Sequence, residues 1–95
     1  MKYCVYIIYS EVLNKYYVGE TSDFEKRFEE HKTGFYKNSF TSKTSDWVLF
    51  FKIDCDTVSQ AIKIEKHIKK MKSIKYFQNL IKYPEIVTRL KNKYK

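Results

Sequence analysis

Arg27 and His31 are spaced so that they share one face of a predicted helix with two phenylalanines. On a helical wheel of about 100° per residue, Phe24, Arg27, Phe28 and His31 fall within roughly 100° of one another. The polar residues Glu25, Lys26, Glu29 and Glu30 take the other faces. Burying a charge is costly unless it is paired or binds a ligand. The inner face of this helix is therefore a candidate functional site.

Glu65 is a second polar residue on an apolar helix face. It lies in the middle of the side that Val58, Ala61, Ile64 and Ile68 define, with Lys63, Lys66 and Lys70 roughly opposite. One interpretation is a salt-bridged glutamate with a structural role. The other is a carboxylate held inward for a metal ion or for catalysis.

Together with Tyr6 and Tyr17 of a predicted hairpin, these residues have the chemistry needed to hydrolyse a phosphodiester. A single carboxylate suits Mg²⁺, which binds few protein ligands and keeps several waters, whereas zinc would need more Cys or His. Arg27 can donate two parallel hydrogen bonds to a phosphate. A tyrosine or a histidine can take a proton from water.

An α+β pattern of strands and helices positions these side chains. The close spacing of the first two strands predicts an antiparallel hairpin with Tyr6 and Tyr17 near each other on one sheet face. The third strand is the most apolar and is expected to be the central one. The first helix should begin at Ser22 or Asp23, where Ser22 and Glu25 have the form of a capping box. The predicted strands are 3–9, 16–20 and 47–53, and the predicted helices are about 23–32, 57–71, 74–82 and 84–93.

The charge is concentrated in the second part of the chain. The 95 residues carry a net charge of +8. Residues 1–60 have 8 basic and 9 acidic side chains, whereas residues 61–95 have 11 basic and 2 acidic ones. A basic region of this kind favours nucleic acid as the partner, although a lysine-rich helix face is also explained by solvation alone.

The remaining composition indicates one folded domain, with cytoplasmic localisation expected. No apolar run approaches the ~20 residues needed to span a membrane, and no secretory leader is visible. Cys4 and Cys55 lack a CxxC spacing. We interpret them as small buried apolar residues in a reducing compartment.

Four separate elements give the chain a family resemblance. It resembles the GIY-YIG endonuclease superfamily, in particular its small stand-alone members. The matching elements are Val5-Tyr6-Ile7, Tyr17-Val18-Gly19, Arg27 with His31 four residues later, and Glu65 in the helix AIKIEKHIKKMKS. The likeness covers Tyr3 to about Lys75, and residues 76–95 form a C-terminal helical extension. The first motif lacks the family's glycine, but both motifs keep the tyrosine.

The resemblance implies a three-stranded antiparallel sheet flanked by helices and a metal-dependent DNA endonuclease, with a role in DNA repair or recombination. By the same resemblance, Glu65 would hold Mg²⁺ or Mn²⁺, and Arg27 would contact the scissile phosphate. Tyr6 would act as the general base, Tyr17 would position water or phosphate, and His31 would support by hydrogen bonding or proton transfer.

A polar loop at 35–46 and one helix residue are further candidates for nucleic-acid contact. We expect Lys37, Asn38 and Lys43 of the loop to bind DNA, although the loop is also explained as ordinary surface. The resemblance adds Asn79, because larger relatives often have an asparagine after the glutamate helix, with plain helix surface as the alternative. The alternative function is a nucleic-acid-binding module of the same fold with weak or no catalysis. RNA remains an alternative to DNA as the partner.

Overall fold

The computed structural model describes residues 3–33 and 43–95. Its strands form one antiparallel sheet in the order β2-β1-β3. This confirms the predicted α+β fold, a three-stranded antiparallel sheet flanked by helices with further helices at the C-terminal end. The elements in chain order are β1 (Tyr3–Ser10), β2 (Lys15–Thr21), α1 (Phe24–Lys32), β3 (Val48–Cys55), α2 (Val58–Met71), α3 (Ile74–Lys82) and α4 (Pro84–Lys93).

The central strand is β1, so the prediction that the third strand is central is wrong. Both β2 and β3 pair with β1. Residues 4–8 of β1 are all buried, whereas Val48 and Leu49 of β3 are 55% and 45% exposed. The apolar run of the third strand misleads because an edge strand also takes aromatic and β-branched residues when one of its faces packs on a core. The strand begins at Val48, and the buried Trp47 precedes it.

Successive residues of β1 point to opposite faces of the sheet, and each face has its own apolar cluster. On one face, Val5 and Ile7 pack with buried residues of α2, α3 and α4. On the other face, Tyr6 and Ile8 pack with Trp47. Partly buried residues of the hairpin and α1 complete that second cluster: Leu13, Tyr17, Phe24 and Phe28. The Tyr6 side of the sheet is therefore the side that α1 covers.

Side-chain caps fix where α1, α2 and α3 begin, whereas α4 begins at Pro84 without one. Asp23 is the N-cap of α1, and its carboxylate accepts a hydrogen bond from the Lys26 backbone N–H at 3.3 Å. The helix therefore begins at the second of the two predicted positions with a simple aspartate cap, and the capping box expected from Ser22 and Glu25 does not form, because Lys26 stands three residues after Asp23. In the described ranges, every helix is too short or too polar to cross a bilayer.

Candidate active site

A hydrogen bond between Tyr6 and His31 joins the sheet to α1. The Tyr6 hydroxyl lies 2.8 Å from His31 Nε2, although the two residues are 25 positions apart in sequence. Tyr6 has no exposed surface and His31 is 3% exposed. The side chains meet because Tyr6 is on the α1 side of the central strand and His31 is in the last turn of α1. The predicted inward direction of His31 is thus confirmed.

Burial keeps both partners of this hydrogen bond uncharged near neutral pH. It raises the pKa of the Tyr6 hydroxyl well above its usual range, and Tyr17 adds to that rise while Arg27 opposes it. Burial also lowers the pKa of His31, as does the positive charge of Arg27, against a smaller effect of Glu30. A neutral imidazole has one ring nitrogen that accepts a hydrogen bond. The pair can therefore pass a proton from the phenol to the histidine.

Arg27 and Tyr17 form the accessible part of the same cluster. The Arg27 side chain is 37% exposed, and its Nε lies 3.6 Å from Glu30 Oε1. The Tyr17 ring is half-buried, with its centroid 6.4 Å from that of Tyr6 and 5.2 Å from that of His31. A ligand approaching from solvent would therefore meet Arg27 and Tyr17 before Tyr6 and His31.

A glycine provides the space that the Tyr6 ring occupies. Residues Tyr6 and Gly19 are direct partners in the β1–β2 pairing. A Cβ built on Gly19 would lie 2.6 Å from Tyr6 Cζ and still closer to the hydroxyl oxygen. Every other residue type would collide with the phenol, so this position requires glycine. The sequence contains the glycine, but only the strand register shows which ring it accommodates.

Glu65 approaches the cluster from α2, with Lys69 beside it. The Glu65 side chain is only 17% exposed, and its Oε1 lies 3.5 Å from Lys69 Nζ. That ammonium group also lies 5.9 Å from the centroid of the Tyr17 ring. Lys69 was not identified as a site residue from sequence, although its position four residues after Glu65 is the spacing of a helical ion pair.

The donor set around Glu65 fits magnesium better than zinc. No group of three or more His, Cys, Asp or Glu side chains that could hold a metal ion occurs within residues 3–33 and 43–95. Zinc sites need three or four such ligands. Mg²⁺ is commonly held by one or two carboxylates, with water and substrate phosphates completing its shell. The half-buried Glu65 carboxylate, already next to the Lys69 cation, can supply such a ligand.

The other predicted site residues are dispersed. Lys43 is exposed and precedes β3 in the chain. Asn79 is half-buried on α3, whose Phe77 and Leu80 pack on the sheet face opposite Tyr6. Lys37 and Asn38 lie outside the described residues. The structure therefore brings Tyr6, Tyr17, Arg27 and His31 together on the α1 side of the sheet. Glu65 reaches the edge of this cluster from α2, whose Ile64 and Ile68 pack on the opposite face together with α3.

His67 contacts Tyr76 and Tyr94 of the C-terminal segment and is not part of the cluster around Tyr6. Its Nδ1 lies 2.9 Å from the Tyr94 hydroxyl, which connects α2 to the residue that follows α4. Burial is the main cause that lowers the pKa of His67, with smaller effects of Lys93 and Lys70. We therefore attribute this histidine to the packing of the C-terminal helices.

Comparison with known protein families identifies the chain. The family model described as the GIY-YIG catalytic domain matches residues 2–77 of the 95 residues. Comparisons with curated proteins and with solved structures each gave no significant match. The matched range contains all five residues of the tyrosine, arginine, histidine and glutamate cluster. The chain therefore belongs to the GIY-YIG family of nucleases.

Proposed function

We propose that this protein is a metal-dependent DNA endonuclease that hydrolyses phosphodiester bonds, with a role in DNA repair or recombination. The observation that supports it best is the buried hydrogen bond between Tyr6 and His31 inside a cluster that Tyr17, Arg27 and Glu65 complete. Four different elements supply these five side chains. A binding module would not need a proton-accepting pair buried beside an arginine and a carboxylate.

Tyr6 and His31 are the proton acceptor in this proposal. At neutral pH the phenol keeps its proton, because burial raises its pKa. Tyr6 takes the proton of the attacking water while its own proton passes to His31 Nε2 over the 2.8 Å hydrogen bond. His31 is suited to receive that proton because its lowered pKa leaves the imidazole neutral before the reaction.

Arg27 and Tyr17 bind the reacting phosphate. The half-exposed guanidinium of Arg27 can move from Glu30 to two phosphate oxygens, and this uncovers the Tyr6 hydroxyl beneath it. The positive charge then stabilises the negative charge that develops during phosphodiester hydrolysis. Tyr17 is accessible at the same edge of the cluster, where its hydroxyl can orient water or phosphate.

Glu65 is the residue that would hold a divalent cation, Mg²⁺ or Mn²⁺. When bound, such an ion neutralises charge on the phosphate and on the leaving oxygen. The contribution of the protein is a half-buried carboxylate at the edge of the cluster. Lys69 pairs with that carboxylate and neutralises it.

Two buried thiols support a reducing compartment, and we propose the cytoplasm. Cys4 and Cys55 are free and buried. Burial raises the pKa of the Cys4 thiol to about 11 and also raises the pKa of Cys55. Neither thiol is therefore reactive at neutral pH, as expected for residues that only fill space.

The test is cleavage of a panel of labelled DNAs, namely duplex, single-stranded, flapped and branched, with Mg²⁺, Mn²⁺ or EDTA. We expect cutting that requires the cation and that Glu65→Gln abolishes, with folding and most DNA binding retained. Glu29→Gln is the matched control, because Glu29 also pairs with a lysine of its own helix but is 69% exposed.

Two results would contradict the proposal. Full metal-dependent activity in Glu65→Gln would remove Glu65 as the cation ligand. Salt-sensitive binding without cleavage of any DNA by the wild-type protein would favour the binding module. A parallel panel of RNAs distinguishes a DNA nuclease from one that acts on RNA.

A further inference from the structure

We propose that a groove beside β2 binds the phosphates that neighbour the scissile phosphate on the same DNA strand. This groove, here the β2 groove, has a volume of about 470 Å³ and lies between β2 and the junction of α2 and α3. Its lining includes Lys15, Tyr17, Lys69, Lys72, Ser73 and Ile74. The inference rests on the proposed function, because it assigns the course of the bound DNA strand beyond the candidate active site.

Three lysines from separate positions meet around the β2 groove. Lys15 begins β2, Lys69 is in the last turn of α2, and Lys72 is the C-cap of that helix. None of the residues that line the groove is acidic. The backbone of Lys72 is left-handed, with φ of 48°, which ends α2 there. Lysines contribute to DNA affinity by neutralising phosphates and releasing their counterions.

The β2 groove is continuous with the candidate active site. Tyr17 lines the groove and also lies beside Tyr6 and His31. Lys69 belongs to the groove and also contacts Glu65 and the Tyr17 ring. A strand whose scissile phosphate lies at Tyr17 would therefore place its neighbouring phosphates among these lysines.

An exposed isoleucine adds an apolar surface to the groove. Ile74 is the first residue of α3 and is 53% exposed. Ser73 is already used as the N-cap of α3, because its hydroxyl oxygen accepts a hydrogen bond from the Tyr76 backbone N–H at 3.2 Å. Ile74 therefore adds to the apolar and aromatic lining that can contact a sugar or a base.

The test compares two variants that lose the same number of charges. The groove variant combines Lys15→Gln, Lys69→Gln and Lys72→Gln. The control variant combines Lys63→Gln, Lys66→Gln and Lys70→Gln, which lie on the exposed face of α2. Binding of fluorescent single-stranded and duplex DNA is measured by anisotropy in EDTA over a range of NaCl concentrations, so that cleavage does not interfere.

We expect the groove variant to lose affinity at least tenfold at low salt and the control variant to lose less than threefold. The slope of the logarithm of the association constant against the logarithm of the salt concentration should decrease in magnitude by about 2 to 3 in the groove variant. Each phosphate contact contributes about 0.9 to this slope on duplex DNA and about 0.7 on single-stranded DNA. Comparing the two DNAs shows which form occupies the groove. A second variant, Lys15→Gln with Lys72→Gln, keeps the Glu65–Lys69 pair and should show about two thirds of the change in the salt slope, because it removes two of the three lysines.

Equal losses in the groove and control variants, or no loss in the groove variant, would overturn the inference. These outcomes are separable from failure of the proposed function. If the wild-type protein cleaves DNA and the groove variant binds normally, the groove assignment is wrong and the nuclease stands. If the wild-type protein cleaves nothing and the groove variant alone loses binding, the groove stands and the nuclease does not.

Discussion

The phenol of Tyr6 lies directly over Gly19, its partner across the β1–β2 pair. A side chain at Gly19 would occupy the position of the ring and hydroxyl, with the first added carbon 2.6 Å from Tyr6 Cζ. Glycine inside a strand normally weakens the strand. Here its cost is offset because the space it leaves lets the phenol reach His31.

Gly19→Ala should therefore affect both stability and catalysis. The new methyl group must displace the Tyr6 ring, and overpacking of this kind costs about 1–3 kcal/mol of unfolding free energy. The displaced hydroxyl would also leave His31, so cleavage should fall more than the remaining folded fraction explains. Urea denaturation and cleavage rates measure the two effects. An alanine variant as stable and active as the wild-type protein would show that the ring can move without consequence.

Tyr6→Phe isolates the hydroxyl from the ring. Loss of a proton acceptor should slow cleavage by about 10²-fold or more, with a change in the pH dependence of the rate. Unfolding free energy should fall by about 1 kcal/mol, because His31 loses a buried hydrogen bond. Tyr9→Phe is the matched control, because Tyr9 lies on the same strand and its hydroxyl donates to Asn14 Oδ1 in an exposed position.

Tyr17→Phe helps to separate the roles of the two tyrosines. If Tyr17 positions the phosphate, its loss should raise KM and leave the pH profile of the rate as in the wild-type protein. The reverse pattern, with the pH profile altered by Tyr17→Phe and retained in Tyr6→Phe, would transfer the role of proton acceptor to Tyr17.

Stability should decrease as the pH falls below about 6.5, the ordinary pKa of histidine. Burial lowers the pKa of both His31 and His67 in the folded protein. In this range the unfolded chain binds more protons than the folded one, and acid therefore favours unfolding. Each histidine can lower the free energy of unfolding by at most about 1.4 kcal/mol for each unit by which the pH falls.

Urea denaturation at pH 7.5 and pH 5.5 measures this dependence. His31→Gln and His67→Gln should each reduce the difference between the two pH values. A wild-type protein with equal stability at both pH values would show that neither histidine resists protonation in the fold.

Helical periodicity made one part of the site predictable. The spacing of Phe24, Arg27, Phe28 and His31 predicts that they share a face. The rings of Phe24 and Phe28 do stack beside Tyr6, with their centroids 5.3 Å apart. A surface helix with a phenylalanine pair can bury that face in only one direction, toward the sheet. The same periodicity placed His31 inward, where it is buried, whereas Arg27 lies at the edge of that face and stays partly exposed.

Other parts depend on how distant segments meet. The apolar run of the third strand does not reveal that β1 has two partners, so the strand order was not predictable from it. The contact of Gly19 with Tyr6 requires the register of the hairpin. The position of Lys69 between Glu65 and Tyr17 requires the placement of α2 against β2. Each of these relationships is a property of packing between elements.

The central position of β1 also determines how the candidate site is lost on unfolding. Its residues pair with strands on both sides and have apolar clusters on both faces. Elements with this much protection exchange their amide hydrogens only when the whole domain opens. The amide groups around Tyr6 should therefore be among the slowest in the protein to exchange. Fraying of the edge strand β2 or of the end of α1 would displace Tyr17 or His31 and leave Tyr6 in place, so activity should be lost before the amides around Tyr6 exchange.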